Sequence, residues 1–271
     1  MKEYSIFHPL LFSFFSRSLY RDVAWNWKGL GFLYLLLLLS LAWIPATLTL
    51  HRSVGAIVDA FGPMILEQVP AITITDGEVS SPVPQPHVIQ FPGTGKPLII
   101  IDTTGQITSL EGQEASVLLT KRQVAVRQSA GETRIYDLSA VKSFTLDRQK
   151  LEAWGRVLRN WMAIMIYPFL VLGSFVYRIV QVLIYGAIGM IFARVERADL
   201  EYADLVRLAS VSITPAVLLD TLRGILAVPT SFLWWFLCFA VAMATLFLAV
   251  RSSAAPPAEQ APPAEVPGTL H

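Results

Sequence analysis

The sequence predicts a membrane α-helical protein with four transmembrane helices, an N-terminal interfacial helix and an inserted small α/β, mainly antiparallel, extracytoplasmic domain. Three observations lead there. Of 271 residues, 15% are charged and 54% hydrophobic, whereas a soluble globular protein carries about 25% charged residues. The apolar residues gather in runs of about twenty, the length that crosses a bilayer. Between the first two runs, residues 51–158 change character: charges return near balance, and prolines cluster in Ser81-Pro82-Val83-Pro84-Gln85-Pro86.

Residues 1–28 form the first element, a cytoplasmic amphipathic helix over 8–27. Pro9 suits a first helical turn. Phe12, Phe15, Leu19, Val23 and Trp27 recur at helical spacing and make one stripe, with Ser13, Arg17 and Arg21 on the other face. Aromatic bulk opposite arginine suits the membrane interface. The segment lacks the charged leader and cleavage site of a signal peptide, so the following apolar run, residues 29–50, reads as a retained first span. Lys2, Arg17, Arg21 and Lys28 precede it and mark that end as cytoplasmic.

Within the domain at 51–158, residues 54–69 read as a short helix broken near Gly62-Pro63. Strands are expected at 71–75, ending in the Asp76-Gly77 turn, and at 88–91, 98–101, 117–120, 124–127 and 133–138, with turns at Lys121-Arg122 and Ala130-Gly131. Residues 98–101 are four large aliphatics in a row and should be buried on both faces. Asp147 can cap a helix that starts near Arg148 and runs into the membrane bundle, residues 159–251.

The bundle holds three further spans, at 161–193, 205–226 and 231–250. The first is long enough to be one projecting helix or two tight spans; one helix is favoured because Arg194 and Arg197 supply a single cytoplasmic end. Val228-Pro229-Thr230 makes a short outer turn, Trp234 and Trp235 sit at an interface, and Arg251 closes the last span. The alanine- and proline-rich tail, 252–271, is expected to be a disordered cytoplasmic segment. The pattern places the chain in the bacterial inner membrane, multi-pass, with both termini cytoplasmic.

Four stretches carry a resemblance. They are 14–34, leading into Trp27-Lys28-Gly29-Leu30-Gly31-Phe32-Leu33-Tyr34; Ile74-Thr75-Asp76-Gly77-Glu78-Val79; Ile99-Ile100-Ile101-Asp102-Thr103-Thr104-Gly105; and Tyr202-Ala203-Asp204-Leu205-Val206-Arg207-Leu208-Ala209, continuing to Thr214-Pro215-Ala216. In this order the chain resembles a family of bacterial integral-membrane proteins of unknown function, some described with maltodextrin utilisation, and is distantly similar to the Yip1-type membrane superfamily. The resemblance implies an architecture and supplies no activity, ligand or catalytic residue.

Chemistry-bearing motifs are sparse. Asp102-Thr103-Thr104-Gly105 is similar to the Asp-Thr-Gly of aspartic proteases but has an extra threonine and a single copy, where that chemistry needs two carboxylates. It reads as a turn whose side chains cap backbone donors. His8, His51, His87 and His271 lack metal spacing, and the one cysteine, Cys238, lies in an apolar run. Gly93-Thr94-Gly95-Lys96 is followed by Pro97 and a strand, not by the helix a phosphate loop needs. Catalytic, cofactor-binding and metal sites are therefore all expected to be absent, and a net charge of +1 gives no field for nucleic acid.

The sharpest feature is a cluster of intramembrane charges, Arg178, Asp220 and Arg223. A charge inside an apolar segment is costly and faces a partner or a polar cavity. Counting about 1.5 Å per residue from the cytoplasmic ends puts Arg178 and Asp220 at matching depths, so the two are expected to pair. Arg223, three residues from Asp220, is the competing partner. Three functions fit. One is a non-enzymatic accessory module whose outer domain binds or senses a protein partner or envelope ligand. The second is a small transport or lipid-handling component with a polar site near Arg178 and Asp220. The third is an envelope hydrolase using Asp102. The expected partners are membrane lipid and another membrane or envelope protein.

Overall fold

The structure, a computed structural model, describes residues 4–29, 31–129 and 131–254. It divides into two units, Met1–Thr49 with Ile164–His271, and Leu50–Ala163. Among the described residues four helices are long and apolar enough to cross a membrane: Phe32–Gln68, Arg148–Glu196, Tyr202–Ile225 and Phe232–Ser253.

The first unit is all helical. It contains α1 (Pro9–Phe12), α2 (Arg17–Asn26), the first part of α3 (Phe32–Gln68), the later part of α4 (Arg148–Glu196), α5 (Tyr202–Ser212), α6 (Thr214–Ile225) and α7 (Phe232–Ser253). The helix expected over 8–27 is two helices. Ser16 caps the second, its hydroxyl accepting from the Leu19 N–H at 3.2 Å, and Tyr20 donates to the Ser13 carbonyl left free at the end of the first. The apolar stripe is also split in fate. Leu19, Val23 and Trp27 are buried, whereas Phe12 and Phe15 are exposed. Helix α2 packs on α5 and α7. The face read as lipid-facing is thus mostly a protein-packing face, since a 3.6-residue stripe does not distinguish lipid from protein.

The third apolar segment is two helices meeting at Ile213, not one span of even helix. Pro215 has no N–H to give the Val211 carbonyl. The Thr214 hydroxyl takes that carbonyl at 2.6 Å, and the Tyr34 hydroxyl lies 2.6 Å from Thr214 Oγ1. A buried polar chain from α3 therefore repairs the break. Helix α5 lies in the core, with Leu205, Val206, Leu208, Ala209 and Val211 all fully buried. Gly186 and Gly189 of α4 let α5 approach: a Cβ on Gly186 would stand 2.7 Å from Val206 Cγ2 and 3.3 Å from Val206 Cα.

Arg207 joins α5 to the end of α2. Its guanidinium donates to the Ala24 carbonyl at 2.7 Å and the Gly29 carbonyl at 2.6 Å, and lies 3.3 Å from Asp204. The Ala24 carbonyl is one a helix terminus leaves without an intrahelical partner, and Gly29 lies in the loop that follows α2.

The second unit holds two sheets. The three-stranded sheet has the order β2-β1-β8, with β1 (Ile72–Thr75), β2 (Glu78–Ser80) and β8 (Ser143–Leu146). The five-stranded sheet runs β3 (His87–Gln90), β4 (Pro97–Asp102), β5 (Val117–Thr120), β6 (Gln123–Ser129) and β7 (Glu132–Asp137) in order. Every pairing is antiparallel except the parallel β4–β5 pair. Strand β4 is buried on both faces, as its aliphatic run requires. Ile101 joins Ile72, Ile74, Val79 and Ile89 on one side, and Ile100 joins Leu110, Ala115 and Leu118 on the other. Glu78 ties the sheets together, bonded by Arg122 at 2.5 Å and Lys121 at 3.2 Å. The Arg122 guanidinium first, and then Lys121, hold its carboxyl below the usual glutamate range.

One expectation about this unit's helices differs from the structure, and the single long helix with its Asp147 cap agrees with it. Helix α3 continues through Gly62-Pro63 without a break. Its partner α4 supports it there: Arg159 meets Asp59 at 2.8 Å, and Val58 packs over Gly155, whose absent side chain admits it. Residues 148–196 form a single helix of 49 residues, capped by Asp147, whose Oδ1 accepts from the Lys150 N–H at 2.9 Å. Strands β2 and β8 were not expected; both are short and amphipathic only in part. Arg251, Ser252 and Ser253 belong to α7. The remainder of the tail from residue 255, with His271, and Ala130 of the expected turn lie outside the described residues.

Candidate functional site

Helices α4, α6 and α7 each turn one stripe of side chains toward a common cavity, polar on α4, charged at one end on α6 and mostly apolar on α7. On α4 the stripe is Arg178, Gln181 and Tyr185, three and four residues apart, so all three lie on one face. Helix α6 contributes Ala216, Asp220 and Arg223, and α7 contributes Trp234, Cys238 and Ala242, at the same kind of spacing. Together they line a cavity of about 430 Å³.

The charges sit at one end of it. Asp220 and Arg223 are in the last two turns of α6, and Trp234 is in the first turn of α7. Asp220 Oδ1 accepts from Arg223 Nε at 2.9 Å and from Trp234 Nε1 at 3.0 Å. Arg223 also donates to the Val228 carbonyl at 2.7 Å, fixing the turn between α6 and α7. From α4, Arg178 donates to Gln181 Oε1 at 2.5 Å, and Gln181 Nε2 donates to the Tyr185 hydroxyl at 2.8 Å. Ile213, Ala216, Phe239 and Ala242 make the apolar remainder of the wall.

The expected Arg178–Asp220 ion pair is not formed: among the described residues Arg178 has no carboxylate within 4.0 Å, and Asp220 pairs with Arg223. The reason is local. A partner three residues away on the same helix needs no second helix to be positioned, and the Trp234 indole reinforces it. The three charges nevertheless converge, because Arg178, Asp220 and Arg223 also line a second cavity of about 450 Å³, closed on its other side by α3 residues such as Trp43 and Thr49. Arg178 thus stands between two cavities. Gln181 was visible in the sequence only as an interruption, and Trp234 only as an interface residue. Their membership follows from helical spacing once the three helices are known to be neighbours.

The Asp102-Thr103-Thr104-Gly105 motif is a turn closed on its own carboxylate. Asp102 Oδ1 accepts from the Thr104 N–H at 2.8 Å, the Thr104 hydroxyl at 2.6 Å and the Gly105 N–H at 3.2 Å, while Oδ2 accepts from the Ile107 N–H at 2.5 Å. Burial alone raises this carboxyl, but the bonds from Thr104, Ile107 and Gly105 outweigh it and hold Asp102 below the usual aspartate range. Gly105 takes a φ of +85°, the conformation glycine adopts at least cost. The cavity beside the motif is lined by Lys121 and Arg122 and by no carboxylate other than Asp102. A second carboxylate, as in the aspartic-protease pair, does not line it.

The other motifs are structural. Gly93-Thr94-Gly95-Lys96 is the β3–β4 turn, closed by the Phe91 N–H donating to the Lys96 carbonyl at 2.8 Å. His87 Nε2 lies 2.8 Å from the Gln68 carbonyl. Among the described residues no three His, Cys, Asp or Glu side chains gather as a metal group.

A family model described as a protein of unknown function, DUF1189, matches residues 7–250. The chain belongs to the DUF1189 family. The match covers residues of both units. No curated protein and no solved structure matches the chain.

Proposed function

We propose that this protein is a non-enzymatic, multi-pass component of the bacterial inner membrane that binds a polar or amphiphilic ligand in the cavity between α4, α6 and α7. The observation that carries the reading is the convergence on one cavity of Arg178, Gln181 and Tyr185 from α4 with Asp220 and Arg223 from α6, in helices that are otherwise apolar there. A guanidinium in such a segment is retained against a steep cost, and a cavity is where its charge is of use. Lys28, Arg194, Arg197 and Arg251 fall at alternate span ends, which supports cytoplasmic termini and a sheet unit on the outer side. Arg178 lies 18 residues before the end of α4, about 27 Å of helix. In a hydrocarbon core of about 30 Å that puts the charged end of the cavity near the outer leaflet.

Cys238, the only cysteine in the chain, lines this cavity and serves as a built-in probe. In intact membranes it should react with water-soluble methanethiosulfonates, faster with an anionic reagent than with a cationic one, and Arg178→Gln should remove that preference. A Cys238 that no water-soluble reagent reaches would refute a solvated cavity.

A second reading concerns the sheet unit, as a docking site for an envelope protein. Edge strand β7 is exposed along its whole length, with Ile135 64% and Tyr136 50% accessible. An extended segment of a partner could add to that edge by backbone pairing. A photo-crosslinker at position 136 should then capture an envelope protein in cells, with loss of the adduct when proline replaces Arg134.

A further inference from the structure

We propose that the occupant of the α4–α6–α7 cavity is an amphiphile with an anionic, phosphate-class head group, held by Arg178 with its apolar part along the inner wall. This rests on the reading of the cavity as a ligand site and specifies the chemistry of that ligand.

Charge selects the head group. The cavity end carries two guanidinium groups and one carboxylate, a net excess of one cation. Asp220 is committed to Arg223 and Trp234 through the same oxygen, at 2.9 and 3.0 Å. Arg178 has no carboxylate within 4.0 Å among the described residues; its hydrogen bond is to Gln181 Oε1 at 2.5 Å. A guanidinium has five N–H donors in a planar fork that matches phosphate oxygens two at a time, so most of its donors remain for a ligand. The Arg178 side chain also lies against the Tyr177 ring, 5.6 Å from its centroid, which presets its position before an anion arrives.

The wall selects an amphiphile over a bare ion. From the charged end the lining passes through Gln181 and Tyr185 to Ile213, Ala216, Phe239 and Ala242, a change from ionic to neutral polar to apolar. At about 430 Å³ the cavity falls in the range of small-molecule sites. An inorganic phosphate would use its charged end and leave the apolar wall uncovered. A lipid head group with the first part of its chains would cover both.

The test reads N-ethylmaleimide modification of Cys238 in the full-length protein, held in nanodiscs of phosphatidylcholine. Phosphatidylglycerol mixed into the disc should slow modification about tenfold, the protection given when the lipid is at about nine times its dissociation constant. Phosphatidylcholine discs alone, with or without inorganic phosphate, should show none. Arg178→Gln should restore the unprotected rate in phosphatidylglycerol, and Arg178→Lys should keep part of the protection. Equal rates in the two lipids with the native chain would overturn the proposal, and that comparison needs no variant to fold. Equal protection of native and Arg178→Gln proteins would overturn the role of Arg178. Protection by inorganic phosphate as strong as by phosphatidylglycerol would make the occupant a free anion and overturn the amphiphile. A Cys238 that is never modified would instead refute the cavity as a ligand site, so the two failures are told apart.

Discussion

Removing the Asp102 carboxylate should loosen the turn that follows β4 and with it the edge of the sheet core. In Asp102→Ala, the N–H groups of Thr104, Gly105 and Ile107 and the Thr104 hydroxyl all lose their acceptor. A hydrogen bond to a charged group contributes about 1.5–3 kcal/mol. The four do not add, because Thr104 and Gly105 are exposed and regain water, whereas Ile107 is half-buried. We expect a net loss of about 2–4 kcal/mol. Asp102→Asn keeps one oxygen for Thr104 and Gly105 but turns an amide N–H toward the Ile107 N–H, so it should fall between native and alanine. Hydrogen exchange of the Thr104, Gly105 and Ile107 amides in the full chain measures this, each tenfold loss of protection corresponding to about 1.4 kcal/mol. The sign of the pH dependence follows from the lowered carboxyl. Its contribution is fully present above the unfolded aspartate value, about 3.9, and is lost as pH falls through the lower folded value. The gap between native and Asp102→Asn should therefore be constant above about pH 5 and close below pH 4. Unchanged exchange in Asp102→Ala, or a gap that widens in acid, would refute the account.

Gly186→Ala should destabilise the helical unit by about 1–3 kcal/mol, because the added methyl meets the Val206 backbone and must part α4 from α5. Gly173→Ala, with nothing within 4 Å of its Cβ, should instead be neutral or gain up to about 1 kcal/mol of helix propensity; thermal unfolding in detergent compares the two. Arg207→Ala should cost about 2–3 kcal/mol by leaving the Ala24 and Gly29 carbonyls without their charged donor, and faster exchange confined to α5 with none in α2 would count against that. A periplasm-dependent reporter fused after Arg251 should be silent; activity there would overturn the four-span topology with cytoplasmic termini.

The apolar runs determined by themselves where the four long helices lie, because about twenty successive apolar residues leave a chain few alternatives. The aliphatic run at 98–101 likewise determined a strand buried on both faces, and the Asp102 turn was legible because its bonds are local, within five residues. What residues far apart do to one another was not legible. The Ile213 break follows Pro215, but only the Tyr34–Thr214 contact across the core shows how the freed carbonyl is satisfied. Gly62-Pro63 reads as a helix end and is not one, since packing of α3 on α4 supports the helix through it. Asp220 had two arginines within plausible reach, and sequence depth could not choose between them. The tertiary structure decided for Arg223, because a partner on the same helix and an indole from α7 reach one carboxylate oxygen together. That choice leaves Arg178 without a carboxylate partner at the cavity.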